Sequence, residues 1–336
     1  MKPRISITMP VLNGEKYIDE SIESIRAQTY RDFELIVVDD GSTDRTQEHI
    51  QRFAGTMNLR CIRHAERQGI ARSVNEGIRA SAGEFIAFLD HDDTWFPDFL
   101  ETQVAYLDQH PGVGMVHSDF QTTDAAGNVL EASVAAWSGR PRPSGHVFPA
   151  LFNDSFIVAN SVLIRKECLD HLGGFDESLR FGDYHLWLRL ARHYKIDYVG
   201  RVLTTYRQHN AQSTQNVPVT RPDQESVGIQ SIRKILESYP EVRHELGDRT
   251  VNRRLASLYF DLGYSWFEAG AFRNARICLA KAIRLWPSNC RYLAVYGAAL
   301  MPNPIVAAAR RAWHRVADLF TAPAGRGGQS GHVAKV

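Results

Sequence analysis

The sequence has few cysteines and no long apolar run, and both absences exclude classes of protein. Its four cysteines show neither the spacing of a zinc site nor the density of a disulfide framework. No segment has the roughly 20 uninterrupted apolar residues that a membrane-spanning helix needs. The nearest approach, from Leu293 to Ala309, is interrupted by Pro302 and Pro304. We therefore expect a reduced setting and no membrane span.

Neither sign of charge dominates the chain. Lysine and arginine together number 39 against 38 acids, so bulk attraction to nucleic acid is not indicated. The first residues lead directly into an alternating pattern that is too short for the apolar region of a signal peptide. These features predict a cytoplasmic protein. At 336 residues the chain is long enough for two domains of about 100 to 200 residues each.

What the sequence does contain is an apolar run that ends in acids. Phe85–Leu89 is typical of a buried strand and is followed by Asp90, His91, Asp92 and Asp93. Adjacent carboxylates at a strand end need water, a metal or another cation. Hard oxygen ligands suit Mg²⁺ or Mn²⁺ bridging the phosphates of a nucleotide, and suit zinc poorly. The alternative is a solvated acidic loop in which Asp92 or Asp93 caps the next helix.

The N-terminal region predicts alternating strands and helices. Arg4–Pro10 alternates as a strand, residues 17–25 carry apolar positions at helical spacing, and Phe33–Val38 predicts a second buried strand. Ser42 or Thr43 is placed to cap the helix that follows. Such a series indicates a parallel sheet with helices on both faces. Ligands bind at the carboxyl ends of the strands in these sheets, and both acidic clusters fall there.

Five motifs occur in an order that is typical of one enzyme family. They are Pro10–Gly14, Val38–Asp44, Ala71–Gly77, Gly83–Ile86 with Leu89–Asp93, and Gly173–Asp176 with Gly182–Arg189. Together they resemble the inverting family 2 glycosyltransferases of the GT-A fold, over residues 3–215. The resemblance implies an α/β fold with a mainly parallel, Rossmann-like sheet flanked by helices. It also implies a nucleotide-sugar donor and a Mn²⁺ or Mg²⁺ cofactor.

The resemblance assigns residues to the donor's base. Asp40 matches the acid that accepts a hydrogen bond from the base in this family. Pro10, Leu12 and Asn13 belong to the first-strand loop that lies along the same base, and Glu15 is near them in sequence. The alternatives are structural, with Asp40 as a turn former and Leu12 as part of the core.

Other residues are predicted to hold the ribose and the phosphates. Arg72 is suited to phosphate or ribose because a guanidinium is permanently charged and donates in pairs, unless it is simply a solvated surface side chain. Asn75 is predicted to share its helical face. The resemblance places Asp90 near the ribose, and His91 occupies the variable middle position of the acidic motif.

The predicted metal ligands are Asp92 and His209. The resemblance places Asp92 on the metal, which would neutralise the departing diphosphate. Asp93 is predicted to cap a helix or to support the site from behind. His209 belongs to a segment, Tyr206–His209 with Gln212–Thr214, that resembles the family's closing segment, where a histidine reaches the metal or the diphosphate. A surface histidine in a polar loop is the alternative.

Asp183 is the predicted general base. Inversion needs a carboxylate that takes the proton of the acceptor hydroxyl. Asp183 follows Gly182 and opens an amphipathic helix, so its side chain would stand at a helix N-terminus facing the cleft. Many relatives carry Glu-Asp where this chain has Gly182-Asp183. The alternative is an ordinary helix cap.

The last third of the chain lies outside the resemblance. We predict a catalytic domain over residues 1–220, a helical region with one tetratricopeptide-like helix pair over 221–320, and a disordered tail over 321–336. Helices of this region suggest homo-oligomer contacts or docking. Arg310, Arg311 and Arg315 with neighbouring apolar residues predict a basic amphipathic helix. That helix would touch the inner face of the membrane or pack on the protein itself.

Two functions follow from these patterns. The first is a metal-dependent transferase that moves a sugar from a UDP- or dTDP-linked donor to a hydroxyl of a glycan or lipid-linked acceptor, in cell-surface polysaccharide synthesis. The second is a non-catalytic relative that binds nucleotide or glycan and acts through its helical C-terminus. The stretch Ala135–Pro149, rich in proline and glycine, is predicted to lack regular structure and to border the acceptor, as a lid or as a passive insertion.

Overall fold

The computed structural model describes residues 2–139, 142–212 and 225–301. The chain divides into two compact units, Met1–Gln212 and Ser213–Val336. The predicted disordered tail (321–336), the basic amphipathic helix around Arg310 and the residues Ser213 and Thr214 of the predicted closing segment lie outside the described residues.

The first part of unit 1 is a parallel α/β layer. Its strands are β1 (Ile5–Val11), β2 (Phe33–Asp39), β3 (Leu59–Arg63) and β4 (Phe85–Phe88), in the order β3-β2-β1-β4. All neighbours in this set pair in parallel. Strands β1, β2 and β4 are buried along their whole length, as expected for a sheet that is covered on both faces.

Helices α1 (Ile18–Arg26), α2 (Thr46–Arg52) and α3 (Ile70–Ala80) connect these strands. In α1 the residues Ile18, Ile22 and Ile25 recur at helical spacing and are fully buried, so a single apolar face fixes the helix on the sheet. The strand–helix–strand series predicted from the N-terminal sequence is therefore confirmed.

The sheet becomes mixed beyond β4. Strands β5 (Thr94–Trp95), β6 (Val113–Thr123), β7 (Val129–Glu131), β8 (Val162–Arg165) and β9 (Lys195–Arg207) extend it in the order β4-β8-β6-β9-β5, with β7 beside β6. Strand β8 is antiparallel to both β4 and β6, whereas β6 and β9 are parallel. The predicted α/β fold is confirmed, with its parallel character concentrated in the first four strands.

Helices α4 (Phe99–Gln109), α5 (Val134–Ser138), α6 (Phe148–Asn153), α7 (Lys166–Leu172) and α8 (Asp183–His193) complete unit 1. The expectation that Ala135–Pro149 lacks regular structure is wrong at both ends, because α5 ends within this stretch and α6 begins within it. Ser133 caps α5 by accepting a hydrogen bond from the amide of Ala136. Pro149 lies in the first turn of α6, where no helical hydrogen bond is lost by its missing N–H.

Unit 2 is helical throughout its described part. It contains α9 (Val227–Ser238), α10 (Val242–Leu246), α11 (Asp248–Glu268), α12 (Phe272–Leu285) and α13 (Cys290–Leu300). Helices α11 and α12 approach closely at Gly263, where a Cβ atom would lie 2.9 Å from Cγ of Leu279. The predicted helical C-terminal region is confirmed. Among the helices described, none is long and apolar enough to cross a membrane.

Candidate active site

The loops that follow β1 and β2 are joined by hydrogen bonds. The amide of Asn13 donates to Oγ of Ser42 at 2.9 Å, and Oδ1 of Asn13 accepts from the amide of Thr43 at 2.9 Å. Asn13 has a φ of 54°, a left-handed conformation that asparagine tolerates better than most residues. Oε2 of Glu15 accepts from the amide of Arg45 at 3.0 Å. Asn13 and Glu15, which were predicted to contact the nucleotide-sugar, thus hold two adjoining loops together.

The expected helix cap in the second loop is wrong. Helix α2 begins at Thr46, and its N-cap residue is Arg45, which makes no side-chain cap. The hydroxyl of Ser42 accepts from the amide of Asn13 instead, and the hydroxyl of Thr43 donates to Oδ1 of the same residue at 3.4 Å. A contact between two loops has therefore taken the groups that a local cap would have used.

The loop after β4 meets the loop after β1. Pro10 is buried in β1 opposite Val38, and Leu12 follows it half-buried. The ring of His91 rests on Gly14, where a Cβ atom would lie 2.7 Å from Cδ2 of His91. The first-strand loop and the acidic motif are therefore in direct contact, as the sheet topology predicts for the carboxyl ends of neighbouring parallel strands.

Asp40 is buried at the end of β2, and hydrogen-bond donors surround its carboxylate. Its Oδ1 accepts from the amide of Gln68 at 2.7 Å and lies 2.8 Å from Nδ1 of His64, and its Oδ2 accepts from the amide of Gly69 at 2.8 Å. Burial would raise the pKa of Asp40, but these donors outweigh it and hold the pKa below its usual range. The carboxylate is therefore ionised at neutral pH.

His64 lies between two carboxylates. Its Nε2 is 2.6 Å from Oε2 of Glu76, while its Nδ1 faces Asp40. Burial would lower the pKa of His64, but the hydrogen bonds that its ring donates to Asp40 and Glu76, and the charges of both acids, raise it. Both ring nitrogens have an acceptor, so the imidazolium form, which donates from each, fits the arrangement.

A cavity of about 340 Å³ adjoins this network. His64, Ala65, Glu66, Gln68, Arg72 and Glu76 line it. Arg72 is exposed on α3 and reaches the cavity together with Glu76, one helical turn further along. The structure thus brings Arg72 close to residues that hold Asp40.

Asn75 turns away from Arg72, contrary to the expected shared helical face. It is buried, its Oδ1 accepts from the amide of Phe175 at 2.8 Å, and its Nδ2 donates to the carbonyl of Phe175 and to Glu177, each at 2.9 Å. Residues three apart on a helix are separated by about 60° around its axis, which is enough to send one to solvent and the other to the core. Asn75 fastens α3 to the loop that precedes α8. Gly174, in that loop, has a φ of 74° and packs against the same amide.

Three carboxylates from two distant segments interact at the next strand end. Burial, then the negative charges of Asp92 and Asp183, raise the pKa of Asp90 to about 7. Asp183 lies in the first turn of α8, as predicted. Burial raises the pKa of Asp183 against the opposing effect of the amides of Tyr184 and of Asp183 itself. The acidic motif and the predicted general base therefore share one electrostatic environment.

Asp92 and His209, the two predicted metal ligands, are in contact. Nε2 of His209 lies 2.9 Å from Oδ2 of Asp92, and the ring of His209 packs on Tyr17 with centroids 4.8 Å apart. Burial would raise the pKa of Asp92, but the hydrogen bond from His209 and the charges of His91 and His209 lower it. The structure thus brings the end of β9 to the acidic motif.

Asp93 supports the site from within the fold. It is 1% exposed, its Oδ1 accepts from the amide of Arg207 at 2.8 Å, and its Oδ2 accepts from the side-chain amide of Asn160. Burial and the charges of Asp92 and Asp90 raise the pKa of Asp93 well above its usual range. The alternative of a helix cap is wrong, because α4 begins at Phe99 after an N-cap at Asp98.

Sequence reasoning missed the role of Arg207. Its side chain is 4% exposed and pairs with Glu20 at 2.7 Å, while its Nε donates to the carbonyl of Asp92 at 2.9 Å. Its guanidinium also lies over the ring of Tyr17, 4.8 Å from the centroid. The one signal in the sequence was that Arg207 belongs to the segment Tyr206–His209, two positions before the histidine that was predicted to reach the metal.

The side chains at Asp92 suit a hard cation whose remaining ligands come from the substrate and not from the protein. Within residues 2–139, 142–212 and 225–301, no three or more histidine, cysteine, aspartate or glutamate side chains gather as a metal-binding group. Mg²⁺ is commonly held by one or two carboxylates together with substrate phosphates, so a complete protein cage is not required. Asp92 with His209 fits this mode, and the crowding of charge around Asp90 favours a cation nearby.

Comparison with protein families gives one match that covers half of the chain. The family described as glycosyl transferase family 2 matches residues 6–173. An uncharacterized glycosyltransferase of Rickettsia typhi is 32% identical over 215 residues, which are 63% of this chain and 66% of the relative. One from Methanocaldococcus jannaschii is 30% identical over 217 residues, covering 62% of this chain and 72% of the relative. The match thus spans about two thirds of the length of these relatives.

Solved structures share the fold at low sequence identity. TarS from S. aureus, crystallised with UDP-GlcNAc, has a TM-score of 0.62 and 19% identity, with 88% of this chain and 90% of that chain covered. The mannosyltransferase PcManGT from Pyrobaculum calidifontis, in complex with GDP-Man and Mn²⁺, has a TM-score of 0.60 and 20% identity, with 96% and 82% covered. These likenesses concern the architecture of the chain.

Proposed function

We propose that this chain, which belongs to glycosyl transferase family 2, is a metal-dependent inverting hexosyltransferase that uses a nucleoside-diphosphate-sugar donor. The acceptor we propose is a hydroxyl of a glycan or of a lipid-linked sugar, in the assembly of cell-surface polysaccharide. A UDP- or dTDP-linked sugar is the proposed donor. The catalytic domain would cover residues 1–220, which include the family match.

The observation that carries this proposal is the meeting of Asp90, Asp92 and Asp183. Burial, followed by repulsion from Asp92 and Asp183, raises the pKa of Asp90 to about 7. Proteins rarely keep buried like charges together without a functional reason, and such perturbed acids cluster at catalytic sites. A transferase needs one acid for the cation that accompanies the diphosphate and another for the acceptor hydroxyl, and the three residues supply both.

Asp92 and His209 are the proposed ligands of Mn²⁺ or Mg²⁺. A bound divalent cation would stabilise the negative charge that develops on the leaving diphosphate. Arg207 holds the carbonyl of Asp92, and His91 holds the motif against Gly14, so both position the ligand. In this proposal Asp90 faces the ribose, and Arg72 faces the phosphates or the ribose.

Asp183 is the proposed general base. It would accept the proton of the acceptor hydroxyl as that oxygen attacks the anomeric carbon from the face opposite the leaving group. A carboxylate with a raised pKa is a stronger base than a solvated aspartate, and burial raises the pKa of Asp183. It lies in the first turn of α8, directly after Gly182, which packs against Phe175.

The donor's base is proposed to lie beside Asp40 and the loop of Pro10, Leu12 and Asn13. Glu15 and Asn75 would contribute indirectly, because their side chains hold the loops that shape this part of the cleft. A cytoplasmic location at the inner face of the membrane and association through the C-terminal helices remain part of the proposal.

The second candidate is a relative that binds nucleotide or glycan without turnover. The presence of Asp40, Arg72, Asp90, Asp92 and Asp183 together favours the enzyme, because a site that has lost its activity is free to lose such residues. The two candidates differ in turnover.

The deciding experiment measures release of nucleoside diphosphate from a panel of nucleotide-sugars with Mn²⁺, using the full chain. We expect release by the wild type and a fall of about 10²-fold or more in Asp183→Asn, because general base catalysis contributes roughly 10²–10⁴-fold. Donor binding should persist in Asp183→Asn and weaken in Asp92→Ala.

Asp170→Asn is the matched control, because this carboxylate is exposed on α7 and pairs with Lys166. It should behave as the wild type. Normal turnover by Asp183→Asn would show that the base is assigned wrongly. Nucleotide binding without release by the wild type, for every donor and acceptor mixture tried, would favour the binding relative.

A further inference from the structure

Helix α13 is apolar around almost its whole circumference. Arg291 is its one charged residue. Tyr292, Val295 and Ala299 are buried and belong to the apolar core of unit 2. A helix at the surface of a protein normally turns a polar face to water, and a helix that is apolar all round is normally buried on every side. A second face of α13 is therefore expected to need a partner.

The second face of α13 is exposed. Leu293 is 48% exposed, Leu300 is 56% exposed, and Met301, directly after the helix, is 45% exposed. Leu293, Gly297 and Leu300 are four and three residues apart, so they lie in one row along the helix. A Cβ atom added at Gly297 would meet no atom of the described residues within 4 Å. We call Leu293, Gly297, Leu300 and Met301 the exposed strip, an apolar surface that another chain segment can approach closely at its middle.

The backbone turns out of α13 directly after the strip. Met301 is extended, with a ψ of 154°. Pro302 and Pro304 follow, on either side of Asn303. A residue that precedes a proline is disfavoured in the helical conformation, so this sequence is typical of a turn.

The sequence after this turn predicts an amphipathic helix over residues 305–320, which lie outside the described residues. The apolar positions recur at helical spacing and share one face: Ile305, Ala309, Ala312, Trp313, Val316 and Phe320. The polar positions fall on the other side: Arg310, Arg311, His314 and Asp318. The segment therefore has one apolar face that needs to be covered, and it begins beside the exposed strip of α13.

We propose that residues 305–320 of this same chain form a helix that packs antiparallel on the exposed strip of α13. A connection of three residues, 302–304, joins the two, and helices joined by so short a loop pack side by side in opposite directions. The turn sets three pairs of residues opposite each other: Met301 with Ile305, Gly297 with Ala309, and Leu293 with Trp313. Small residues thus meet at the middle of the strip, and large ones meet at its ends.

Length and tethering favour this occupant over a second copy of the chain. A helix of residues 305–320 would be about 24 Å long, enough to cover α13, which is about 16 Å long. A short linker holds a tethered segment at an effective concentration of about millimolar, which a second copy in dilute solution does not reach. The strip and the apolar face of the segment would also cover each other, so both needs are met by one contact.

Hydrogen–deuterium exchange of the full chain, followed by mass spectrometry, tests the docking. We expect the amides of residues 305–317 to exchange about 10-fold or more slowly in the wild type than in the double variant Leu293→Lys with Leu300→Lys, because lysines in the strip favour local opening. Exchange in α11 should stay slow in both proteins, which shows that unit 2 remains folded. Leu130→Lys, at a residue of β7 that is 50% exposed, is the matched control and should exchange as the wild type does. Equal exchange of residues 305–317 in the double variant and the wild type would overturn the proposal.

Paired cysteines test which residues face each other. The exposed Cys61 and Cys290 are first changed to Ser. Leu293→Cys with Trp313→Cys should then form a disulfide within one chain, because a disulfide needs Cα atoms less than about 7 Å apart. Leu293→Cys with Arg310→Cys is the control, since position 310 is on the polar side, and it should stay reduced. Equal bond formation by both pairs, or by neither, would contradict the proposed packing.

The other possible occupants of the strip give different results. Light scattering at several protein concentrations detects a second copy, and vesicles of phosphatidylglycerol detect a lipid surface. We expect the slow exchange of residues 305–317 to be independent of protein concentration and of vesicles. Slow exchange that appears only with a dimer, or only with vesicles, would assign the strip to that partner and overturn the proposal. Neither result bears on the transferase activity, which residues of unit 1 are proposed to carry.

Discussion

Asp92 and His209 are 117 positions apart in the sequence and 2.9 Å apart in the fold. The contact joins the loop after β4 to the end of β9, and Tyr17 covers it from the first loop. Both side chains are mostly buried, with 9% of His209 and 13% of Asp92 exposed. The pair therefore closes one side of the proposed diphosphate site.

Removal of the imidazole of His209 should specifically weaken the affinity for the metal. In His209→Ala we expect the Mn²⁺ concentration for half-maximal activity to rise about 10-fold or more, the usual range when a ligand or its partner is lost. The measurement is a Mn²⁺ titration of donor turnover. His110→Ala, at an exposed histidine bonded to the carbonyl of Tyr106, should leave the titration unchanged. Identical titrations for His209→Ala and wild type would remove His209 from the metal site.

Arg207 should matter for folding through its contact with Asp92. In Arg207→Leu the carbonyl of Asp92 loses its side-chain donor and Glu20 loses its partner. We expect the free energy of unfolding to fall by about 1–3 kcal/mol, the cost of an unsatisfied buried polar group. Urea unfolding with tryptophan fluorescence measures it.

Glu20→Gln provides the comparison for Arg207. Glu20 is 59% exposed, so its ion pair contributes less than about 1 kcal/mol. Equal losses in the two variants would mean that the ion pair, and not the carbonyl of Asp92, explains the importance of Arg207.

The activity should rise with pH through the pKa of Asp183. Only the ionised carboxylate accepts a proton, and burial raises the pKa of Asp183, so the acid limb of kcat/KM should lie above the ordinary range of an aspartate near 3.8. The pH profile of donor turnover at saturating Mn²⁺ measures this limb. It should move in Asp183→Glu and stay in place in Asp170→Asn, and an unmoved limb in Asp183→Glu would assign it to another group.

Asn75 should be required for stability. Asn75→Ala leaves the amide and the carbonyl of Phe175 without their side-chain partner, and we expect a loss of about 2 kcal/mol or more in the free energy of unfolding. Arg79→Ala is the matched change on the same helix. Arg79 is 62% exposed and lies 3.7 Å from Glu177, so its loss should cost less than about 0.5 kcal/mol. Similar losses in both variants would contradict the role given to Asn75.

The sequence predicted the elements whose pattern is local. The spacing of Ile18, Ile22 and Ile25 determines α1, and the apolar runs before Asp40 and Asp90 determine β2 and β4. The contact between the first-strand loop and the acidic motif, at Gly14 and His91, followed from one rule about parallel sheets. The resemblance to family 2 glycosyltransferases, read from five motifs, is confirmed by the family match over residues 6–173.

Features decided by distant contacts were not predictable in this way. The insertion of β8 between β4 and β6, antiparallel to both, depends on pairing over long separations. Ser42 does not cap α2, because that helix begins only at Thr46, and its hydroxyl accepts from the amide of Asn13 instead. Asn75 faces Phe175, one hundred positions away, for a similar reason. The contacts of His64 with Asp40 and Glu76 were likewise not predicted, because they form only when the fold brings the three side chains together.

Because His91 packs on Gly14, the residues that can stand at these two positions depend on each other. A side chain at position 14 would collide with Cγ2 of Val11 and with the imidazole, so a graft that imports the first loop from a relative needs matching residues at positions 11 and 91. Chimeric proteins built by swapping one loop alone would be expected to misplace Asp92. Libraries that vary positions 11, 14 and 91 jointly should yield active proteins that single-site libraries miss.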